Sequence, residues 1–174
     1  MRRRVNAYVG GGAAGYFAAI NSALKHPDIH HVIYEATSKP MNKIRISGGG
    51  RCNVTHHCFN AKVMCTNYPR GNKELLGPFH IFQPKDTIQW FDEQGIAMKI
   101  ESDGRIFPST NSSDTIIHCF DKLTQELNIT VHKKCKVIGI DYTPHEMDAI
   151  ESHPLSSSSS SSSSPKFCIS VQNK

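Results

Sequence analysis

A glycine run, Gly10-Gly11-Gly12-Ala13-Ala14-Gly15, directly follows the apolar stretch Val5 to Val9 and directly precedes a helix-forming segment. In the frame G-x-G-x-x-G on Gly10, Gly12 and Gly15, one glycine makes the tight turn from strand to helix. One lets the backbone approach a pyrophosphate, and one lets the helix pack on the strand. Glycine also collects in ordinary loops, so the neighbours decide between the two. Val5, Ala7, Tyr8 and Val9 predict a short strand, with Asn6 a polar interruption in it. Tyr16 to Lys25 is alanine-rich, without internal glycine or proline, and predicts a helix that Pro27 stops. The helix start near Ala13 offers free N–H groups and a positive dipole end to an anion.

A second apolar strand, Val32-Ile33-Tyr34, ends in Glu35. That places a carboxylate about 20 residues past the glycine frame, where it accepts hydrogen bonds from the hydroxyls of an adenosine ribose and repels a 2′-phosphate. FAD or NAD is thereby favoured over NADP; the alternative is an ordinary solvated charge at a strand end. Further on, Lys39 to Thr55 carries a second glycine cluster, Gly48-Gly49-Gly50, set among Lys43, Arg45 and Arg51. Consecutive glycines let N–H groups point at an anion that the cations neutralise and to which Ser47 and Asn53 donate. A mobile surface loop is the competing reading of that stretch.

At 174 residues and 38% hydrophobic content the chain suffices for one core, whereas a complete two-domain dinucleotide enzyme needs more. The net charge of +5 draws on Arg2, Arg3 and Arg4, and no aromatic-interleaved basic stripe follows, which argues against a nucleic-acid partner. Three arginines lead into a strand with no apolar signal core between them, so a cytoplasmic location is expected. No run approaches the roughly 20 apolar residues of a membrane span. Cys52, Cys58, Cys65, Cys119, Cys135 and Cys168 form no C-x-x-C pair and are expected as reduced thiols. Cys52, His56, His57, Cys58 and Cys65 are spaced too openly for the tight ligand pairs of zinc sites, and no metal is expected.

Along the rest of the chain, Asn67 to Gly71 is turn chemistry, and Lys73 to Leu76 is expected to break at Gly77-Pro78. Pro84 to Gly95 has helical form, with Ile88 and Phe91 on one face and Trp90 in the core or lining a groove. Ala97 to Ile100 and Arg105 to Phe107 flank the hairpin signal Asp103-Gly104. Asn111-Ser112-Ser113-Asp114 caps a helix running to about Leu127, along which Ile116, Ile117, Phe120, Leu123 and Leu127 form a stripe. Strands at Thr130 to Val131 and Val137 to Tyr142 follow. The serines Ser156 to Ser164 have no apolar surface to offset their ordering entropy, so a disordered insertion is expected there, enlarging a hairpin loop that returns through the strand Phe167 to Val171.

The chain resembles the BaiN-like, or aminoacetone oxidase-like, family of NAD(P)/FAD-dependent flavoproteins. The likeness is carried by the glycine run, by Ile46-Ser47-Gly48-Gly49-Gly50-Arg51-Cys52-Asn53-Val54-Thr55, by Asn67-Tyr68-Pro69-Arg70-Gly71 and by Asp103-Gly104-Arg105-Ile106-Phe107-Pro108. It implies an α/β fold: the N-terminal part of a Rossmann-like FAD-binding domain of the glutathione reductase type, with the start of an inserted substrate domain or a β-meander. The divisions are 1–142 for that domain, 143–166 for the serine-rich insertion and 167–174 for the returning strand. Family members are considerably longer, so the resemblance implies a chain that lacks later segments of the site.

Carried over by residue, it implies that Gly10, Gly12, Ala14 and Gly15, with the helix start at Ala13, hold the FAD pyrophosphate, and Glu35 the adenosine ribose. Lys43 and the block Ser47, Gly48, Gly49, Arg51, Cys52 and Asn53 lie towards the flavin. A backbone group of Val137 meets the adenine edge, unless Val137 is simply a buried strand residue. The implied activity is flavin-mediated hydride transfer with a small-molecule substrate and NAD(P)H as a candidate donor. No catalytic base is identified, and the oligomeric state is not specified. Cys52 is either a redox partner of the flavin, its thiol pKa lowered by nearby cations, or a packing residue. An NAD-binding Rossmann enzyme and a non-catalytic remnant remain as rivals.

Overall fold

The glycine run joins a parallel strand–helix–strand unit. In the structure, a computed structural model that describes residues 4–143 and 166–173, β1 (Val5–Val9) leads into α1 (Ala13–Lys25) and on to β2 (His30–Tyr34). β1 pairs parallel with β2 from Val5–His30 to Val9–Tyr34, and β6 (Thr130–His132) pairs parallel with the other edge of β2. The polar interruption in β1 has a partner, since the Asn6 amide donates to the Ser22 hydroxyl of α1 at 3.3 Å.

Helical spacing builds the core. Tyr16, Ala19, Ile20 and Ala23 recur at i, i+3, i+4 and i+7 on α1 and are all buried, together with Ile33 of β2. α6 (Ser113–Glu126) starts at Ser112, whose hydroxyl accepts from the Asp114 N–H at 3.2 Å, and buries Ile116, Ile117, Phe120 and Leu123. α5 (Pro84–Glu93) adds Trp90 and Phe91. Trp90 is thus a core residue, its indole N–H donating to the Asn21 side-chain oxygen at 3.1 Å. Each large side chain buried here contributes roughly 1.5–3 kcal/mol.

A second sheet is antiparallel, in the order β3 (Thr55–His56), β5 (Arg105–Pro108), β4 (Met98–Ile100). Its β4–β5 turn passes through Gly104 at φ +83°, as the Asp-Gly signal predicts. β7 (Cys135–Thr143) and β8 (Lys166–Asn173) form an antiparallel hairpin with a bulge between Val137 and Gly139. The strands flanking the serine tract therefore pair as expected, while the tract and its expected disorder lie outside the described residues. Among the described residues no helix is long and apolar enough to cross a membrane.

No expectation from sequence covers α2 (Asn42–Ile46) or α3 (Ala61–Thr66), each barely more than a turn, although Asn60 caps α3 by accepting from the Val63 N–H at 3.1 Å. The expected break at Gly77-Pro78 is not there, because α4 (Asn72–Ile81) runs through it. Pro78 cannot donate to the Glu74 carbonyl, but no residue of α4 is buried, so water can serve that group.

Candidate functional site

The site is built at the turn between β1 and α1, where four glycines do four different things. Gly10 takes φ +108° and donates its N–H to the Tyr34 carbonyl at 2.9 Å, closing the turn. Gly15 faces Gly10 so closely that a Cβ would collide with the Gly10 carbonyl oxygen. Gly11 donates to Glu35 Oε2 at 2.8 Å, and its carbonyl accepts from the Met41 N–H at 2.7 Å. Gly12 is different, because a Cβ there would meet nothing within 4 Å. It caps α1 without a side-chain hydrogen bond, and the first turn of α1 holds no acid. Among the described residues no acceptor takes the N–H of Gly12, Ala13 or Ala14.

Glu35 is neither free nor in the cleft. Its Oε1 accepts from the Thr37 N–H at 2.7 Å while Oε2 holds Gly11, so the carboxylate braces the turn. Partial burial pushes its pKa up, but the hydrogen bonds from Thr37 and Gly11 outweigh that and hold it below the usual carboxylate range. Each oxygen keeps a further lone pair for a ligand hydroxyl.

From Gly12, Ala13 and Ala14 a cleft of about 590 Å³ runs past Lys43, Ser47, Cys52 and Asn53 to an aromatic end at Phe17, Phe82, Phe91 and Phe120. Seven sequence-predicted residues therefore share one cavity, while Gly10 and Gly15 stand behind it as turn and packing. Gly48, Gly49 and Arg51 do not line it. Arg45 is paired with Asp114 at 2.6 Å and Arg51 with Glu101, so of the three expected cations Lys43 alone lines the cleft. Val137 is on β7, two residues past Cys135, whose N–H donates to the Glu35 carbonyl at 2.8 Å. The aromatic end had no motif to announce it, and its Ile116 and Phe120 are indistinguishable in sequence from an ordinary core stripe.

Of the two roles open to Cys52, its surroundings favour packing. Its thiol pKa is raised by burial, only partly opposed by a hydrogen bond with Ser47, and Arg45 and Arg51 are held by Asp114 and Glu101. Iodoacetamide is accordingly expected to alkylate Cys52 at least about tenfold more slowly than the exposed Cys168, measured by peptide mass spectrometry. Equal rates would contradict this account of the thiol.

A family model described as the HI0933-like protein Rossmann domain matches residues 5–164. The chain is 25% identical over 129 residues to the 3-dehydro-bile acid delta(4,6)-reductase of Clostridium scindens, covering 74% of this chain and 31% of that protein. It is 29% identical over 133 residues to the ribosomal RNA dihydrouridine synthase of Escherichia coli, covering 76% of this chain and 32% of that one. The chain thus spans about a third of the length of these curated relatives. Among solved structures it resembles an open-conformation flavocytochrome c3 fumarate reductase, with TM-score 0.57 at 19% identity over 80% of this chain and 28% of that one. It also resembles Thermovibrio ammonificans THI4, with TM-score 0.53 at 13% identity over 82% of this chain and 42% of that one. These likenesses establish a Rossmann-like fold.

Proposed function

The chain belongs to the HI0933-like Rossmann-domain family, and on that premise we propose that its cleft holds FAD, as the cofactor-binding unit of a flavin-dependent oxidoreductase. The observation that carries this is Gly12. Gly10, Gly11 and Gly15 are each explained by a protein atom or a backbone angle, whereas the bare space over Gly12 beside three unclaimed N–H groups is explained by a ligand. A pyrophosphate suits that place in charge and size.

In this reading Gly12, Ala13 and Ala14 donate to the pyrophosphate, Lys43 supplies positive charge, and Ser47 and Asn53, their donors taken by backbone carbonyls, form the wall along the chain leading to the flavin. Glu35 accepts from the adenosine ribose, and a Val137 backbone group meets the adenine edge. When bound, the flavin supplies hydride transfer; the chain's own residues bind it, orient it and keep water from the apolar end of the cleft. The exchange partners proposed are a small-molecule substrate and NAD(P)H, in the cytoplasm.

The test is direct titration of the purified chain with FAD, followed by flavin fluorescence and absorbance, with NAD as competitor. Saturable FAD binding that NAD displaces only weakly is expected. A colourless protein that takes up no added FAD, or one preferring NAD, overturns the reading. The name of the E. coli relative makes ribosomal RNA the rival substrate class. Retention of that RNA on a filter at physiological salt would overturn the small-molecule assignment.

A further inference from the structure

The motif Asp103 to Pro108 supplies no residue to the lining of the cleft, yet the β4–β5 hairpin that contains it delivers two, Glu101 and Phe107, to the back of the cleft wall. Arg51 Nη1 lies 2.5 Å from Glu101 Oε1 and Nη2 3.5 Å from Oε2, while Arg51 Nε donates to the Gly48 carbonyl at 3.3 Å. The Arg51 guanidinium carbon lies 4.0 Å from the centre of the Phe107 ring. That ring closes on the glycine turn from the same side, because a Cβ on Gly48 would stand 2.7 Å from Phe107 Cε1. We propose that Arg51, Glu101 and Phe107 are positioning residues: they clamp the turn Ser47 to Asn53 onto the β4–β5 hairpin, so that Ser47, Cys52 and Asn53 keep the shape of the cleft wall.

The turn needs an external brace. Gly48, Gly49 and Gly50 sit at φ +56°, +67° and +86°, and no side chain of their own restricts them. Cys52, which is not glycine, is held at φ +62°, a conformation that persists only when its surroundings over-determine it. Those surroundings are visible: the Cys52 N–H donates to the Ser47 carbonyl at 3.0 Å, and the Val54 N–H to the Ile106 carbonyl at 2.8 Å. The Asn53 side-chain nitrogen, turned towards β3 and β5, reaches the Thr55 and Ile106 carbonyls at 3.0 and 3.3 Å. Among the described residues the Arg51–Glu101 pair and the Phe107 ring tie the glycines themselves to this frame, both at Gly48. Lys99 and Arg105, each 3.7 Å from Glu101, keep its carboxylate charged and in place.

The proposal depends on the flavin reading only for the identity of the ligand, and Cys52 reports on it in the ligand-free protein. Arg51→Ala and Glu101→Gln are expected to raise the rate of Cys52 alkylation by iodoacetamide at least about tenfold, leaving Cys119, buried on helix α6 outside the clamped turn, unchanged. Arg51→Lys, which keeps a charge for Glu101 but loses the fork and the ring contact, is expected to be intermediate. Where wild type binds FAD, the same variants lose affinity in the order of their Cys52 rates. Cys52 rates that do not rise, or that rise together with Cys119, overturn the proposal. Failure of wild type to bind FAD overturns only the flavin reading.

Discussion

Gly15→Ala is expected to destabilise the protein by on the order of 3 kcal/mol. In an exposed helix the same change stabilises by about 1 kcal/mol, since alanine gains in helix propensity what glycine loses in backbone entropy. Here the new methyl would run into the Gly10 carbonyl oxygen, a backbone atom with nowhere to go. Gly10 is fixed by its bond to the Tyr34 carbonyl, and Gly11 by bonds to Glu35 and Met41, so the turn cannot swing aside. The helix would have to lift from β1, uncovering Tyr16 and Ile20, which are among the most buried side chains. Urea denaturation measures this as a lower midpoint at unchanged slope. A neutral or stabilising result would show that helix-on-strand packing is not why residue 15 is glycine.

This contrast also shows where the sequence was legible. The glycine turn, α1, α6 and the β4–β5 hairpin follow local rules of spacing, capping and turn chemistry, and each forms where those rules put it. Residues whose role depends on a distant partner were not legible. Arg51 beside three glycines looks like an anion ligand until Glu101, 50 residues away, claims it. Glu35 stands at the expected strand end, but its bonds to Gly11 and Thr37 could not be read from that position. Pro78 signals a helix end in any window of sequence, and only the exposure of α4 lets the helix pass through it. The aromatic end of the cleft gathers side chains from α1, α5, α6 and the end of α4, so no single segment carries its pattern.

Gly12→Val is expected to reverse the Gly15 result, with little effect on folding and a large effect on binding. The N-cap position is in extended backbone at φ −93° and ψ −173°, which a β-branched residue adopts readily, and the Cβ itself would meet nothing within 4 Å. Stability should fall by no more than about 1 kcal/mol, the scale of a lost cap preference. The isopropyl group, however, would occupy the open space beside the N–H groups of Ala13 and Ala14, the space assigned to the pyrophosphate. Losing several charge-assisted hydrogen bonds at once should weaken FAD at least about a hundredfold. Gly12→Ala, with a single methyl, should fall between the two. Fluorescence titration and thermal melting on the same samples separate the effects. If Gly12→Val binds FAD as wild type does while Gly15→Ala unfolds, the turn is a packing device and the pyrophosphate lies elsewhere; if the predicted split is seen, two glycines of one short motif are kept for opposite reasons, one filled by the protein and one left open for its ligand.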